Sequence, residues 1–469
     1  MATGDPVFTQ EQLETKLAEL IEKHEVPGAQ LAVLDGDTIT EVAAGVLSRR
    51  TGWAATPDAL FLPGSIGKLY TATLIMMLVD EGTLDLDAPI RTYLPDFEVR
   101  DRHARDVVTA RNLLSHTSGF DGDHFTDTGR GDDALTRYVA GCADLPQIAE
   151  PGKIWSYSNS GFSILGRIVE VLMGMPFEQA LRERIFTPFG LTGSVSFAEE
   201  AIVHPTAVGH VPDPEHPSTL VVSPTWGLWR AFGPMGSAIV CTAGDVLRFA
   251  KFHLDGGVAA DGTRLLAENL VTDMRQRQVE LVDDTVLGQA WGLGWILDRW
   301  EEVDVVGHDG NSIGQNAFMR VAPEHRFGFC LQTNTESALN LYRELAGWLF
   351  GERLGVAPRP DPAALDEPGV ADPGRYTGSY EREGLTFVVR ADDAGRLLAT
   401  VTPTHAVAES QGWPPMVDLP LRPVERADSF LLKLPISDAD LLAVFFDPDD
   451  AAGRPTHMHF GGRAHRRVG

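Results

Sequence analysis

Apolar residues recur at helical spacing through TQEQLETKLAELIEKHE (9–25), which predicts an amphipathic helix. The pattern then changes to short strand-like runs in AQLAVLDGDTITEVAAGVLS (29–48), predicting two strands around a turn at Asp35–Gly36. From Ser65 to about Asp80 the chain is almost wholly apolar, which predicts a buried helix ending before Gly82. A short helix and a loop are expected over 109–120, and further helices over 160–174, 177–186, 244–256 and 339–354. Between 303 and 333 the runs VDVVGHD, QNAFMRVA and FGFCLQT read as three strands. Late strands that return to early ones, with helices at both termini, fit an α/β sheet with a mostly helical region inserted in the middle.

Composition shifts at 356. VAPRPDPAALDEPGVADPGR is rich in Pro, Ala and Asp and reads as a linker. Beyond it come short alternating runs such as LTFVVRADD, RLLATVTP and LLAVFFD, separated by turn residues, which predict a small antiparallel barrel or sandwich. The expected organisation is a catalytic domain over 1–355, a linker over 356–372 and a β-domain over 373–469. The Gly- and Asp-rich stretch after residue 120 does not match the EF-hand spacing and is expected to be a solvated loop.

A chain of 469 residues exceeds one ordinary core, so two domains or more are expected. The formal charge of −27 makes nucleic acid a poor partner. Cys142, Cys241 and Cys330 have neither a disulfide-framework nor a zinc spacing and read as reduced. The N-terminal stretch has no basic segment followed by an apolar one, and no apolar run reaches the length of a membrane span, so the expectation is a cytoplasmic protein with no membrane partner.

Three short constellations carry the chemistry. Ser65 and Lys68 lie one turn apart at the head of the apolar helix, so the Lys amine can approach the Ser hydroxyl. As a base, that Lys must be neutral, and burial among apolar residues favours the neutral form. Tyr157 and Asn159 stand before a helix. A Tyr hydroxyl can relay protons beside a Ser–Lys pair, and an Asn amide can hold a substrate carbonyl or the Lys. His308 and Gly310 end a strand-like run, where Gly would let a substrate backbone run alongside and His would supply a proton donor or partial positive charge. Each has a plain alternative: a capped helix with a snorkelling Lys, a packed Tyr with Asn159 as helix cap, and a turn with an exposed His.

Taken together, S65-I-G-K68, Y157-S-N159 and H308-D-G310 resemble the S-x-x-K, Y-x-N and (K/H)-x-G boxes of the serine β-lactamase and penicillin-binding-protein superfamily. LLSHTSG (113–119) and PGKIWSYSNSGFSILGRIVE (151–170) look like the same family, and the resemblance covers roughly 8–355. It implies an antiparallel sheet flanked by helices with a helical subdomain, followed here by a lipocalin-like barrel. It also implies Ser65 as the nucleophile that forms an acyl-enzyme, Lys68 as base and Tyr157 as its partner in proton transfer. Asn159 would orient Lys68 and the substrate amide, and His308 would titrate near neutral pH. The oxyanion hole would be the backbone amides of Ser65 and Asn311, and Trp226, Trp229 and Gly236 would line the pocket. No Glu is placed like the deacylating base of class A β-lactamases.

In the C-terminal run THMHFGGRAHRR, Arg463 could hold a substrate carboxylate, or the run could be a solvated tail; His457 and His459 fall short of a metal site. This chemistry needs no cofactor. The chain is most similar to the penicillin-binding-protein-type thioesterases, which cyclise a nonribosomal peptide delivered by a carrier protein. A D-amino-acid-specific peptidase, amidase or esterase would use the same residues. A β-lactamase or DD-carboxypeptidase fits less well without an export signal, and a non-catalytic penicillin sensor would not need the intact set.

Overall fold

The computed structural model describes residues 7–213, 216, 219–366, 370–403, 414–435, 439–447 and 453–468. Residues 367–369 of the predicted linker lie outside this set. An eight-stranded antiparallel sheet runs in the order Thr38–Gly45, Gly28–Asp35, Phe327–Thr333, Asn316–Ala322, Val303–Asn311, Ile296–Trp300, Ala290–Trp291 and Val279–Glu280. The first two strands form the predicted hairpin. Its turn residues are Gly36 and Asp37, one position later than expected, because Asp35 pairs with Thr38. The short strands between 279 and 300 were not legible in the apolar pattern.

Alternation along each strand separates two cores. Ala29, Leu31 and Val33 face the terminal helices Gln10–Lys23 and Leu339–Leu354. Ala32 and Leu34 face the opposite layer, which holds the helices Lys68–Asp80, Asn159–Met173 and Ala243–Leu254. On the strand Val303–Asn311, Val306 faces this second layer, and His308 and Gly310 share its parity. Asp309 points to the other side, where Arg320 holds its carboxylate at 2.5 and 3.0 Å.

The C-terminal strands from Gly378–Glu381 to Arg463–Val468 close into an eight-stranded antiparallel barrel. Its interior is filled by residues such as Phe387, Val401, Phe430, Phe445 and Met458. The expected sheet-and-helix fold with an appended antiparallel barrel is therefore what the chain adopts. Among the described residues, no single helix is long and apolar enough to cross a membrane.

Candidate active site

Ser65 lies in a 3-10 turn, Gly64–Gly67, that leads directly into the helix Lys68–Asp80. In a 3-10 turn, residues i and i+3 eclipse, so the Ser and Lys side chains meet more directly than on an α-helix. Lys68 Nζ lies 3.0 Å from Ser65 Oγ, 2.7 Å from Asn159 Oδ1 and 2.8 Å from the Met235 carbonyl oxygen. Lys68 is fully buried. Burial holds its amine well below the usual lysine range, the Arg463 charge adds to that effect, and Asp123 opposes it.

Asn159 is the first residue of its helix, not the cap. Ser158 takes the cap position and accepts from the Gly161 amide at 3.0 Å. The Asn159 amide is thus left for other work: its Oδ1 accepts from Lys68 and its Nδ2 donates to Asp123 Oδ1 at 2.8 Å. Among the described residues Tyr157 Oη closes no hydrogen bond of its own, yet Ser65 is near enough to ease its ionisation against a stronger upward push from burial. Lys68 Nζ sits 4.8 Å from the centre of the Tyr157 ring. The site joins Ser65, Lys68, Tyr157 and Asn159 around one buried amine.

His308 is also close, but in a different role from the one expected. It is buried, and its Nδ1 donates to the Asp309 carbonyl at 2.6 Å, which leaves Nε2 as an acceptor with no partner among the described residues. Burial pushes its pKa down to about 3. The expectation that it titrates near neutral pH is overturned: the ring is neutral there and offers a lone pair in place of a proton. Gly310 is required by the protein's own backbone. A Cβ at this position would lie 1.8 Å from the Pro63 carbonyl oxygen and 3.0 Å from the Ser65 nitrogen. Likewise, a Cβ on Gly64 would meet the Asn311 nitrogen at 2.7 Å, so the Ser65 turn and Asn311 are pressed together.

Gly236 adopts φ +96, and a Cβ there would meet the Gly64 carbonyl oxygen at 2.2 Å. It lets the Met235 carbonyl reach Lys68. Trp226 and Trp229 are half-buried. Trp226 packs beside Leu60, Leu62 and Val240 and donates to the Ala207 carbonyl at 2.9 Å, while Trp229 meets Phe232 edge-on with ring centres 5.1 Å apart.

Arg463 corrects the two sequence readings. It is neither a solvated tail nor a free carboxylate binder: its Nε and Nη2 donate to Asp123 at 3.0 and 3.2 Å, and its guanidinium lies over the Tyr157 ring at 4.9 Å. The expectation of a solvated loop after residue 120 also fails locally, because Asp121 and Asp123 are buried. Gly122 stands between them, and a Cβ there would strike Ser158 Cα at 2.3 Å, a close approach that only the fold reveals. His116, in LLSHTSG, has no chemical role legible in the sequence. It is buried, accepts from the Ser158 amide through Nδ1 at 3.0 Å, and lies 4.2 Å from the Tyr157 ring. His457 bonds the Ile148 carbonyl at 3.1 Å and His459 packs on Trp155. Among the described residues no group of three His, Cys, Asp or Glu side chains is placed to hold a metal.

A buried Lys beside a Ser at the head of a helix, facing a Tyr–Asn loop and a His-bearing strand, defines a serine hydrolase of the β-lactamase type. The chain belongs to that family: the "Beta-lactamase" family model matches residues 13–349. It is 45% identical over 369 residues to "Penicillin-binding protein 4" of Amycolatopsis lactamdurans, covering 77% of this chain and 95% of that protein. It is 23% identical to "Unguisins hydrolase ungD'" of Aspergillus campestris, covering 76% and 67% of the two chains. The solved structure of SurE matches 98% of this chain and 99% of its own, with TM-score 0.78 and 27% identity, and SurE with D-Leu matches with TM-score 0.75 and 28% identity.

Proposed function

We propose that the protein is an acyltransferase that forms an acyl-enzyme on Ser65, releasing and macrocyclising a nonribosomal peptide presented as a thioester by a carrier protein in the cytoplasm. The observation that carries the chemistry is the buried Lys68 amine, held 3.0 Å from Ser65 Oγ with its neutral form favoured. Lys68 takes the Ser65 proton as Oγ attacks the thioester carbonyl, and Tyr157 Oη is the nearby group that passes a proton to the departing sulfur. The backbone amides of Ser65 and Asn311, brought together by Gly64 and Gly310, are the proposed donors to the oxyanion. In the second step a peptide amine attacks the acyl carbonyl and gives a proton to Tyr157 Oη, the Ser65 ester bond breaks, and Lys68 returns its proton to Ser65 Oγ.

SurE resembles this protein along nearly the whole chain, barrel included, and the SurE structure with D-Leu suits an acyl group ending in a D-residue. The second reading is a hydrolase of D-residue amides, peptides or esters, favoured by the relative named as a hydrolase. The test is a linear peptide thioester with a C-terminal D-residue and a free N-terminal amine, followed by mass spectrometry of protein and products. Cyclic peptide with a transient adduct on Ser65 supports the proposal. An adduct that yields only linear acid favours the hydrolase, and full turnover by Ser65→Ala would remove the mechanism.

A further inference from the structure

We infer that the C-terminal barrel is a working part of the acylation site: Asp123, clamped by Arg382 and Arg463 of the barrel, is a positioning residue that sets Lys68 through Asn159. This rests on the reading of Ser65 as nucleophile. Asp123 is buried, and both its oxygens are occupied. Oδ1 accepts from Asn159 Nδ2 at 2.8 Å and Arg463 Nη2 at 3.2 Å; Oδ2 accepts from Arg382 Nη1 and Arg463 Nε, each at 3.0 Å.

The polarity of the Asn amide makes this more than an interface ion pair. A carboxylate only accepts, so Asp123 compels Asn159 to turn its NH2 toward it and its carbonyl oxygen toward Lys68. Without that anchor the amide can rotate and present donors to an amine that needs an acceptor. The barrel fastens the same segment at further points. The Gly462 carbonyl accepts from the Tyr157 amide at 2.9 Å, the Ala464 amide donates to Ser156 Oγ at 3.1 Å, and the Glu383 amide donates to Asp121 at 2.6 Å. The turn that reaches in is Gly461–Gly462, both at positive φ, and a Cβ on Gly462 would lie 3.3 Å from Leu287. Tyr157 and Asn159 are therefore positioned from the barrel side as well as from their own helix.

The groups facing Lys68 are Asp123, which favours its charge, Arg463, which disfavours it, and the buried neutral rings of His116, His308 and Tyr157. Two of these can be altered in opposite senses. The experiment measures the rate at which a fluorophosphonate labels Ser65 in the full-length chain from pH 5 to 10, read by intact mass, with circular dichroism to confirm folding. Asp123→Asn and Arg382→Met are expected to label at least tenfold more slowly than wild type, with Arg382→Lys recovering most of the rate. The pH midpoint of labelling should fall in Asp123→Asn and rise in Arg463→Gln, opposite movements that a general loosening of the interface would not produce. Folded variants that label at the wild-type rate with an unmoved midpoint would overturn the inference. A wild-type chain left unlabelled would instead sink the Ser65 reading, and this inference with it.

Discussion

Gly310 and Pro63 stand so close that a Cβ added to Gly310 would lie 1.8 Å from the Pro63 carbonyl oxygen. The strand carrying His308 is thus in backbone contact with the turn carrying Ser65, and the distance between them is set by the absence of a side chain. Gly310→Ala must push the two apart. An overpacking penalty of about 1–3 kcal/mol is expected, together with loss of most Ser65 labelling, because the Ser65 and Asn311 amides move with the contact. Thermal melting and fluorophosphonate labelling of the same sample check both effects.

Lys68→Met keeps an unbranched apolar stem in a fully buried site and removes the amine. Met cannot take a proton, so Ser65 acylation should slow by about 10²–10⁴-fold, the usual contribution of a positioned base. The fold should persist, since no buried carboxylate loses its only partner: Asp123 retains Arg382 and Arg463. A stopped-flow acylation rate with a p-nitrophenyl ester measures the loss. A Met variant as fast as wild type would refute the role of Lys68.

His116, His253, His308, His459 and His465 are all buried, and burial lowers the pKa of each, to about 3 for His253, His308 and His459. In the unfolded chain each titrates near pH ~6.5. Between the two values the unfolded state binds the proton and the folded state does not, so stability rises with pH through this window and falls on acidification. Each ring contributes about 1 kcal/mol per pH unit well below pH ~6.5. The melting temperature should therefore drop clearly between pH 7 and pH 5. His308→Asn should reduce that slope without creating or removing an activity limb between pH 5 and 8. A flat stability profile over this range would contradict the buried neutral rings.

Cys142, Cys241 and Cys330 are free and buried, and burial raises the pKa of every one of these thiols. A thiolate is the reactive form, so the native protein should be inert to a chromogenic disulfide reagent at pH 8. Three thiols should react once the chain is unfolded in guanidinium. Rapid reaction in the native state would place at least one of them at the surface.

Much of this architecture was written in local pattern. The helix Leu339–Leu354 falls on the stretch predicted for it, and the three late strands follow their apolar runs. The spacing of Ser65 and Lys68 was enough to suggest a nucleophile and base, because one helical turn brings such residues together whatever the rest of the chain does. Tyr157 with Asn159, and His308 with Gly310, were legible as short boxes whose residue types suit the same chemistry.

Tertiary structure decided the rest. Burial is a property of the whole fold, so the neutral state of His308 could not be read from an H-x-G run, nor could the downward shift of Lys68 be more than a requirement. The reason for Gly310 lies in Pro63, which is 247 positions away in the chain (310 − 63) and touches it only in the folded molecule. Asp123 looked like one more acid in a polar loop, and Arg463 like one of several cations near the C-terminus. A sequence lists charges without their distances. Only closure of the barrel against the catalytic body brings these two within 3.0 Å and turns an acid and a cation 340 positions apart in the chain into one support for Asn159 and Lys68.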